Sequence, residues 1–567
     1  MDTAQIDTAI ATLQDNKTTW AQMPVADRNA YVRGIRAHTA EVAREWVEAA
    51  VKAKGLSMES PLAGEEWTSG PFAVMALLND LEVTLDRIAD GISPIEGYPV
   101  RQTPSGQVIV DVFPTSAEDR VLFSGISAEV WMDPSLSPND LEDTVATFYS
   151  QDSPEGAVQV VLAAGNIASI APLDVIYAMF NEGKVVVVKM NPVNDYLGAY
   201  LERIFSDLIA DGFLRFAYGD ADVGAYLTGH DGVDSIHITG SASTHDAIVF
   251  GSGDEGAANK QNNAPINMRP VASELGGVSP TIIVPGSWSR RDIRHQAEHV
   301  VSQKMHNSGF NCVAAQLVVV PADWEHTEVF LSDVRELLRE MDDRDPYYPG
   351  AMDRCEAVVD RTSDVEVHGD VEPRYLITDL DPLDVDEPMF TTEVFGPVLG
   401  VVRLPSPDVP SYLIKATSFA NDRLYGTLGV NILAHPRTMR KQRSAFGRML
   451  ASLDYGTIAV NSWTGGAYFM PKLTWGAAPG HTAQDIQSGR GFVHNVLMFD
   501  KAEKSIIYGP FVDGKRAWLK GEFHVAPKPV YFMTNDQAHI VGERLIHYAM
   551  TRSKADLAKV ASAAVRG

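Results

Sequence analysis

The stretch His306-Asn-Ser-Gly-Phe-Asn-Cys312 carries the residue type best suited to covalent chemistry in this chain. Cys312 is one of two cysteines in 567 residues, the other being Cys355. A small, polar, Gly-containing loop leads into it, and the strand-like run Gln316–Val320 follows. Such an arrangement can hold a thiol at the lip of a sheet, half exposed to a cleft. A lone cysteine serves equally well as a small buried hydrophobe. The nucleophile reading therefore depends on partners elsewhere in the sequence.

Candidate partners sit just after apolar runs. Asn166 follows Ala157–Ala164, Lys189 ends Val185-Val-Val-Val-Lys189, and Gly240-Ser241 closes Ser235–Thr239. Each has an ordinary structural reading as well. Asn166 can cap a helix, and Lys189 can reach from a buried strand to water. Gly240-Ser241 opens a helix whose backbone N–H groups suit a phosphate, although three spaced dinucleotide-type glycines are absent. Glu274, in Val271-Ala-Ser-Glu-Leu-Gly-Gly277, is either solvated in a turn or held in a cleft as a base. Trp463, Tyr468, Phe469 and Trp475 lie among glycines and suit either the wall of an apolar passage or the core.

The elements that must position these residues are legible in the periodicity. Residues 26–53 and 70–91 read as helices. From about 100 to 155, strand-like runs (107–113, 128–132) are separated by Pro, Ser and Asp, as expected of a β-rich insertion or an arm. After 156, apolar strands alternate with helices: 157–164, 185–189, 216–218, 235–239, then 281–284. The helix expected over 290–307 leads into the Cys312 loop. Largely apolar strands alternating with helices imply a parallel, doubly wound sheet, which binds ligands at the carboxyl ends of its strands. A second alternating region, 313–461, predicts a second α/β domain with its own sheet. Residues 252–267 read as a surface loop, and the tail beyond 535 as an appended amphipathic helix.

Composition narrows the function. The length predicts two or three domains. With 47 Lys and Arg against 74 Asp and Glu, the net charge is −27, which disfavours nucleic acid and anionic membranes as partners. Two cysteines make no disulfide framework, and the N-terminus has no basic region followed by an apolar core. A cytoplasmic location is the expectation. No metal site is expected. His295-Gln-Ala-Glu-His299 has the spacing of an inverted zinc motif but reads as the solvated face of the helix before Cys312, with no third ligand nearby.

Six of these features, in order, resemble the aldehyde dehydrogenase superfamily over about residues 20–500. They are Ala164-Gly-Asn166, Val185–Lys189, Ile238-Thr-Gly-Ser241, Glu274-Leu-Gly-Gly277, Phe310-Asn-Cys312 (its cysteine 38 residues after Glu274) and Glu393-Val-Phe-Gly-Pro397. The resemblance implies a Rossmann-like cofactor domain (1–112 and 156–275), a catalytic α/β domain (276–475), and an oligomerisation arm (113–155 and 480–515). A C-terminal extension over 516–567 completes the chain. It implies NAD or NADP, an aldehyde substrate and a homodimer or homotetramer. Cys312 would be the nucleophile, Asn166 an oxyanion donor and Glu274 the base for hydrolysis. Lys189 would hold the adenosine ribose, Gly240 and Ser241 the pyrophosphate, Glu393 the nicotinamide ribose, and Phe395 would pack near the ring.

Departures mark a divergent member. Pro192 stands where the family usually has a ribose-binding Glu, His245 where a further glycine is usual, and Asn166 lacks the usual preceding Pro-Trp. Two other readings stay open. One is acyl transfer to coenzyme A, disfavoured by the retained Glu274. The other is a non-catalytic nucleotide-binding relative, favoured by Pro192 and His245 and disfavoured by the intact Cys312, Asn166 and Glu274.

Overall fold

A computed structural model of the protein describes every residue except Met1, Ser124, Ser363, Asp370 and 513–527. The arm–extension boundary expected at 515/516 lies outside the described residues.

Two sheets organise the α/β fold. The first has six strands in the order Gly489–Arg490, Val271–Leu275, Ser235–Gly240, Val158–Leu162, Val185–Lys189, Leu214–Ala217. All neighbours run parallel except the short Gly489–Arg490 strand. Val185 to Val188 are fully buried. Each contributes roughly 1.5–3 kcal/mol, which explains why this run has no alternation of polar residues. The last strand lies over Leu214–Ala217, two residues earlier than the apolar run suggested.

The second sheet has eleven strands. Its centre is parallel: Ala502–Tyr508, Thr457–Val460, Gly429–Leu433, Thr281–Ile283, Leu317–Pro321, Val398–Leu404 and Arg374–Leu380. Of the strands expected in the arm, Ser127–Met132 pairs antiparallel with Ala502–Tyr508, and Val108–Phe113 pairs antiparallel with Ser127–Met132. They therefore continue the large sheet of their own chain.

Two expectations are corrected. Residues 252–267 are not simply loop, because Gly253–Gln261 is a helix. Asp254 and Glu255 occupy its first turn and Lys260 its last, complementing the helix dipole. Gly256 lets its backbone approach Gly251. The tail is two helices, Ala538–Thr551 and Lys554–Ala564, and it is no loose appendage. The first packs on the short helix Ala63–Trp67, which precedes Ala73–Ala89. Among the described residues, no helix is long and apolar enough to cross a membrane.

Candidate active site

The sheet ends deliver the candidate residues to one place. Asn166 follows the strand Val158–Leu162, and Glu274 lies near the end of Val271–Leu275, opposite Thr239. Cys312 comes from the other sheet's side, between the helix Arg290–Met305 and the strand Leu317–Pro321. The two halves meet directly. Asn166 Nδ2 donates to the Phe310 carbonyl at 2.9 Å, and Asn307 Nδ2 donates to the Asn166 carbonyl at 3.0 Å. Cys312 is half-buried, with its carbonyl accepting from Ser279 Oγ at 3.3 Å.

The loop before Cys312 is held in an unfavourable backbone form. Asn307, Ser308 and Gly309 have φ of 54°, 56° and 82°. Only glycine adopts this region freely, and each L residue there costs about 1–2 kcal/mol. Gly309 is needed for space as well, because a Cβ there would meet the Gly396 carbonyl at 2.8 Å. This close approach seats the Glu393–Pro397 loop against the Cys312 loop. Tertiary hydrogen bonds hold the turn. Asn307 N donates to Glu65 Oε2 at 3.1 Å, while Lys54 Nζ and Tyr347 Oη donate to Asn307 Oδ1 at 2.9 and 3.0 Å. Lys54 is buried and paired with Glu66 at 2.6 Å. Burial disfavours its charge, but Glu66 overcomes this and raises its pKa. Arg344 pairs with Glu65 at 2.8 Å.

The electrostatics favour neutral acids around the thiol. Burial, followed by the charge of Asp174, pushes Glu274 up to about 8, against the Trp475 indole N–H that donates to Glu274 Oε1 and the opposing effect of His237. Glu393 is also pushed up to about 8 by burial, opposed by Lys304 and Arg354. Burial and then the charges of Glu274 and Glu393 hold the Cys312 thiol well above its ordinary range. At neutral pH all three are therefore predominantly protonated, and a thiolate forms only when a base takes its proton.

Behind Glu274 lies a polar group the sequence reading missed. Asp174 accepts from Thr239 Oγ1 at 2.8 Å and lies 3.3 Å from His237 Nε2. Its only sequence signal is a single acid inside the apolar run Ile170–Met179. Glu65, Glu66, Lys54 and Arg344 were also missed. Trp475 was noticed as an aromatic, but its bond to Glu274 was not legible. Trp463 and Trp475 are buried, whereas Tyr468 and Phe469 are half-buried. Tyr468 lies edge-on to Trp475 and to His494, at 5.2 and 4.4 Å between ring centres.

The expected cofactor residues lie at the strand ends. Lys189 is the last residue of its strand, and burial lowers its pKa against Asp220 and Asp195. Gly240 and Ser241 are exposed. Ser241 caps the helix Ala242–Phe250, accepting from Thr244 N at 3.2 Å. Pro192 is exposed and His245 is buried. Glu393 Oε1 is buried with no hydrogen-bond partner among the described residues, and glycine at 276 leaves room for this carboxylate. Phe395, at φ 50°, packs on Phe310 and Tyr348. An orphaned carboxylate oxygen beside a cysteine, with a helix N-terminus and a lysine at neighbouring strand ends, fits a nucleotide with ribose hydroxyls and a pyrophosphate.

His295 and His299 do not form a solvated face. His299 is buried, donor or acceptor to Tyr531 Oη at 2.8 Å, and both imidazoles stack on Phe532. The tail covers this face, a contact no local pattern announces. Among the described residues, no group of three or more His, Cys, Asp or Glu is arranged to hold a metal.

Two α/β sheets, one of them Rossmann-like, that bring a cysteine, an asparagine and a glutamate together define the class of the fold. The model of the aldehyde dehydrogenase family matches residues 135–474, and the chain belongs to that family. A D-glyceraldehyde dehydrogenase (NADP(+)) of Thermoplasma acidophilum is 24% identical over 298 residues, covering 48% of this chain and 55% of the relative. The chain thus spans about half the length of the first curated relatives it matches. The 4,4'-diaponeurosporen-aldehyde dehydrogenase of Staphylococcus aureus is 22% identical, covering 67% and 76% of the two chains. Among solved structures, an aldehyde dehydrogenase C of Pseudomonas syringae complexed with NAD+ and octanal aligns with a TM-score of 0.58 at 16% identity, covering 90% of this chain and 89% of that one. Lactaldehyde dehydrogenase of Escherichia coli aligns at 0.55 and 17%, covering 88% and 90%. These likenesses support the fold.

Proposed function

We propose that this protein oxidises an aldehyde to a carboxylic acid with NAD or NADP, using Cys312 as nucleophile. The observation that carries the reading is the meeting of the two sheets at Cys312, with Asn166 on one side and a buried Glu274 of raised pKa on the other. Glu274, once deprotonated, takes the thiol proton, and Cys312 Sγ adds to the aldehyde carbon. The second N–H of the Asn166 amide and the Cys312 backbone N–H serve the resulting oxyanion. Each donor of this kind contributes roughly 3 kcal/mol. A nicotinamide held at Glu393 and Phe395 would supply the hydride acceptor for this carbon. Loss of the hydride leaves a thioester; Glu274, after passing the thiol proton to solvent, removes a proton from the water that attacks it, and the acid leaves as the Cys312 thiolate is expelled.

Lys189 would hold the adenosine ribose, Gly240 and Ser241 the pyrophosphate, and Glu393 the nicotinamide ribose, with Phe395 against the ring. Retention of Glu274 supports hydrolysis over transfer to coenzyme A. The domain division proposed is 1–112 with 156–275 for the cofactor and 276–475 for catalysis. The segments 113–155 and 480–515 are proposed to serve homo-oligomer contacts, and the two unpaired cysteines support a cytoplasmic location.

The test is reduced-nucleotide formation by absorbance across short, long and aromatic aldehydes, with NAD and NADP separately, with and without coenzyme A, beside Cys312→Ala. Turnover without coenzyme A, lost in Cys312→Ala, is expected. Turnover only with coenzyme A, or turnover retained in Cys312→Ala, would refute it.

A further inference from the structure

Three features outside the expected machinery converge on the nucleophile loop: a buried charge cluster, a tight helix crossing and the C-terminal segment 528–567. Glu65 and Glu66 lie on the five-residue helix Ala63–Trp67 and are both buried. Glu65 accepts from the backbone N–H of Asn307, the first residue of the left-handed turn before Cys312. It also accepts from Arg344 at 3.0 Å. Glu66 holds Lys54, which in turn donates to Asn307 Oδ1 and, at 3.4 Å, to the Asn166 carbonyl. Asn166 and the turn before Cys312 therefore share one buried anchor, and that anchor stands on one short helix.

This short helix runs through the π-helical turn Thr68–Phe72, kinked at Gly70, into Ala73–Ala89, and the tail packs on it from the other side. Gly64 and Gly542 sit where the two helices cross. A Cβ on Gly64 would lie 2.5 Å from the Ala538 backbone, and one on Gly542 would lie 2.6 Å from Trp67 Cβ. The same segment grips the other side of the loop. Tyr531 meets His299, Met533 N donates to Ser302 Oγ at 3.0 Å, and Lys528 pairs with Glu298 at 3.3 Å, all on the helix Arg290–Met305 that runs into His306. One segment thus spans both the helix bearing Glu65 and the helix bearing the loop.

We propose that Glu65 is a positioning residue for Cys312 and that the segment 528–567 is the clamp that keeps it there. The proposal rests on Cys312 being the nucleophile. Glu65 touches no reacting atom. It fixes the Asn307 turn, and through it the distance between Cys312 and the Asn166 amide. Glu65→Gln replaces one of two acceptor oxygens by a donor and removes the charge facing Arg344. Gly542→Ala drives the tail helix off Trp67 without touching the charge cluster. Both release the same turn from opposite ends.

The experiment uses the full chain and two readouts. The rate of alkylation by iodoacetamide is followed on the Cys312 and Cys355 peptides by mass spectrometry, and kcat and KM are measured for aldehyde oxidation. Leu413→Ala, on the helix Val409–Arg423 packed against the second sheet and buried there, serves as a control for destabilisation alone. Glu65→Gln and Gly542→Ala are each expected to speed Cys312 alkylation at least fivefold, with Cys355 unchanged, and to lower kcat at least tenfold with KM within threefold. Leu413→Ala should leave the Cys312 rate and kcat within twofold. Cys312 alkylation within twofold of the parent in Glu65→Gln overturns the positioning role, and the same result in Gly542→Ala overturns the clamp. A parallel rise in Cys355 alkylation overturns both, because it reports general unfolding. A parent that oxidises no aldehyde while Cys312 alkylation still responds would sink the proposed activity and leave the clamp standing.

Discussion

Trp475→Phe isolates the hydrogen bond that favours the carboxylate of Glu274, the base of the proposed reaction. The indole N–H donates to Glu274 Oε1, and this bond favours the carboxylate against burial and Asp174, which together push Glu274 up to about 8. A hydrogen bond to a charged group contributes about 1.5–3 kcal/mol, and 1.36 kcal/mol corresponds to one pH unit. Losing it should therefore move the alkaline-rising limb of kcat/KM from near pH 8 to about pH 9 or above. The sign follows from the base being active only when deprotonated. At pH 7 the carboxylate fraction falls from about one in eleven to about one in a hundred, so the rate should drop about tenfold. Near pH 10 it should recover most of that loss. The phenylalanine also leaves a small cavity beside Tyr468 and His494, costing about 1–3 kcal/mol of stability. That change is independent of pH in this range and does not imitate the shifted limb. The assay is reduced-nucleotide formation against pH at saturating nucleotide. A limb that stays near pH 8 with a uniform loss of rate would refute the argument, because the indole would then be packing and not electrostatics.

Other perturbations probe the remaining parts of the site. Asn166→Ala should lower kcat about 100-fold or more, the effect of one lost oxyanion donor, while Cys312 alkylation falls far less; equal losses in both would mean that Asn166 only supports the loop. Glu274→Gln should change the pH dependence of stability. An acid whose folded pKa is raised stabilises the fold below its unfolded value and loses that contribution as pH rises through about 8. The variant should therefore gain a few kcal/mol on the parent between pH 5 and pH 8.5, read from urea midpoints, and equal pH dependence in both would contradict the buried neutral acid. Pro192→Glu places a carboxylate beyond the end of the Lys189 strand. It should lower KM for NAD about tenfold, roughly one hydrogen bond, and raise it for NADP by repulsion of the 2′-phosphate. An unchanged ratio of the two would place the ribose elsewhere.

The central strands were legible because buried parallel strands leave a continuous apolar signature. Val185–Lys189 begins with the first valine and ends one residue past the last. Leu317–Pro321 and Val398–Leu404 follow the same rule. The helix Gly253–Gln261 was not legible, because its glycines and asparagines read locally as turn, while its packing on the preceding helix decides the outcome. The buried face of His299 was hidden for a similar reason, since a segment more than 200 residues away covers it.

Sequence alone singled out Cys312, Asn166 and Glu274 as candidates and set their positions just beyond or within strands, because backbone polarity confines such residues to strand ends and the loops between them. It could not determine their state. Glu274 carries a raised pKa because tertiary packing buries it and brings up Asp174, 100 residues away, while Trp475, 201 residues away, donates to it and opposes the rise. The turn before Cys312 keeps its left-handed form because Glu65 and Lys54, from the far N-terminal helices, hold Asn307. Charge burial and strain are properties of what surrounds a residue in space, and only tertiary packing sets those surroundings.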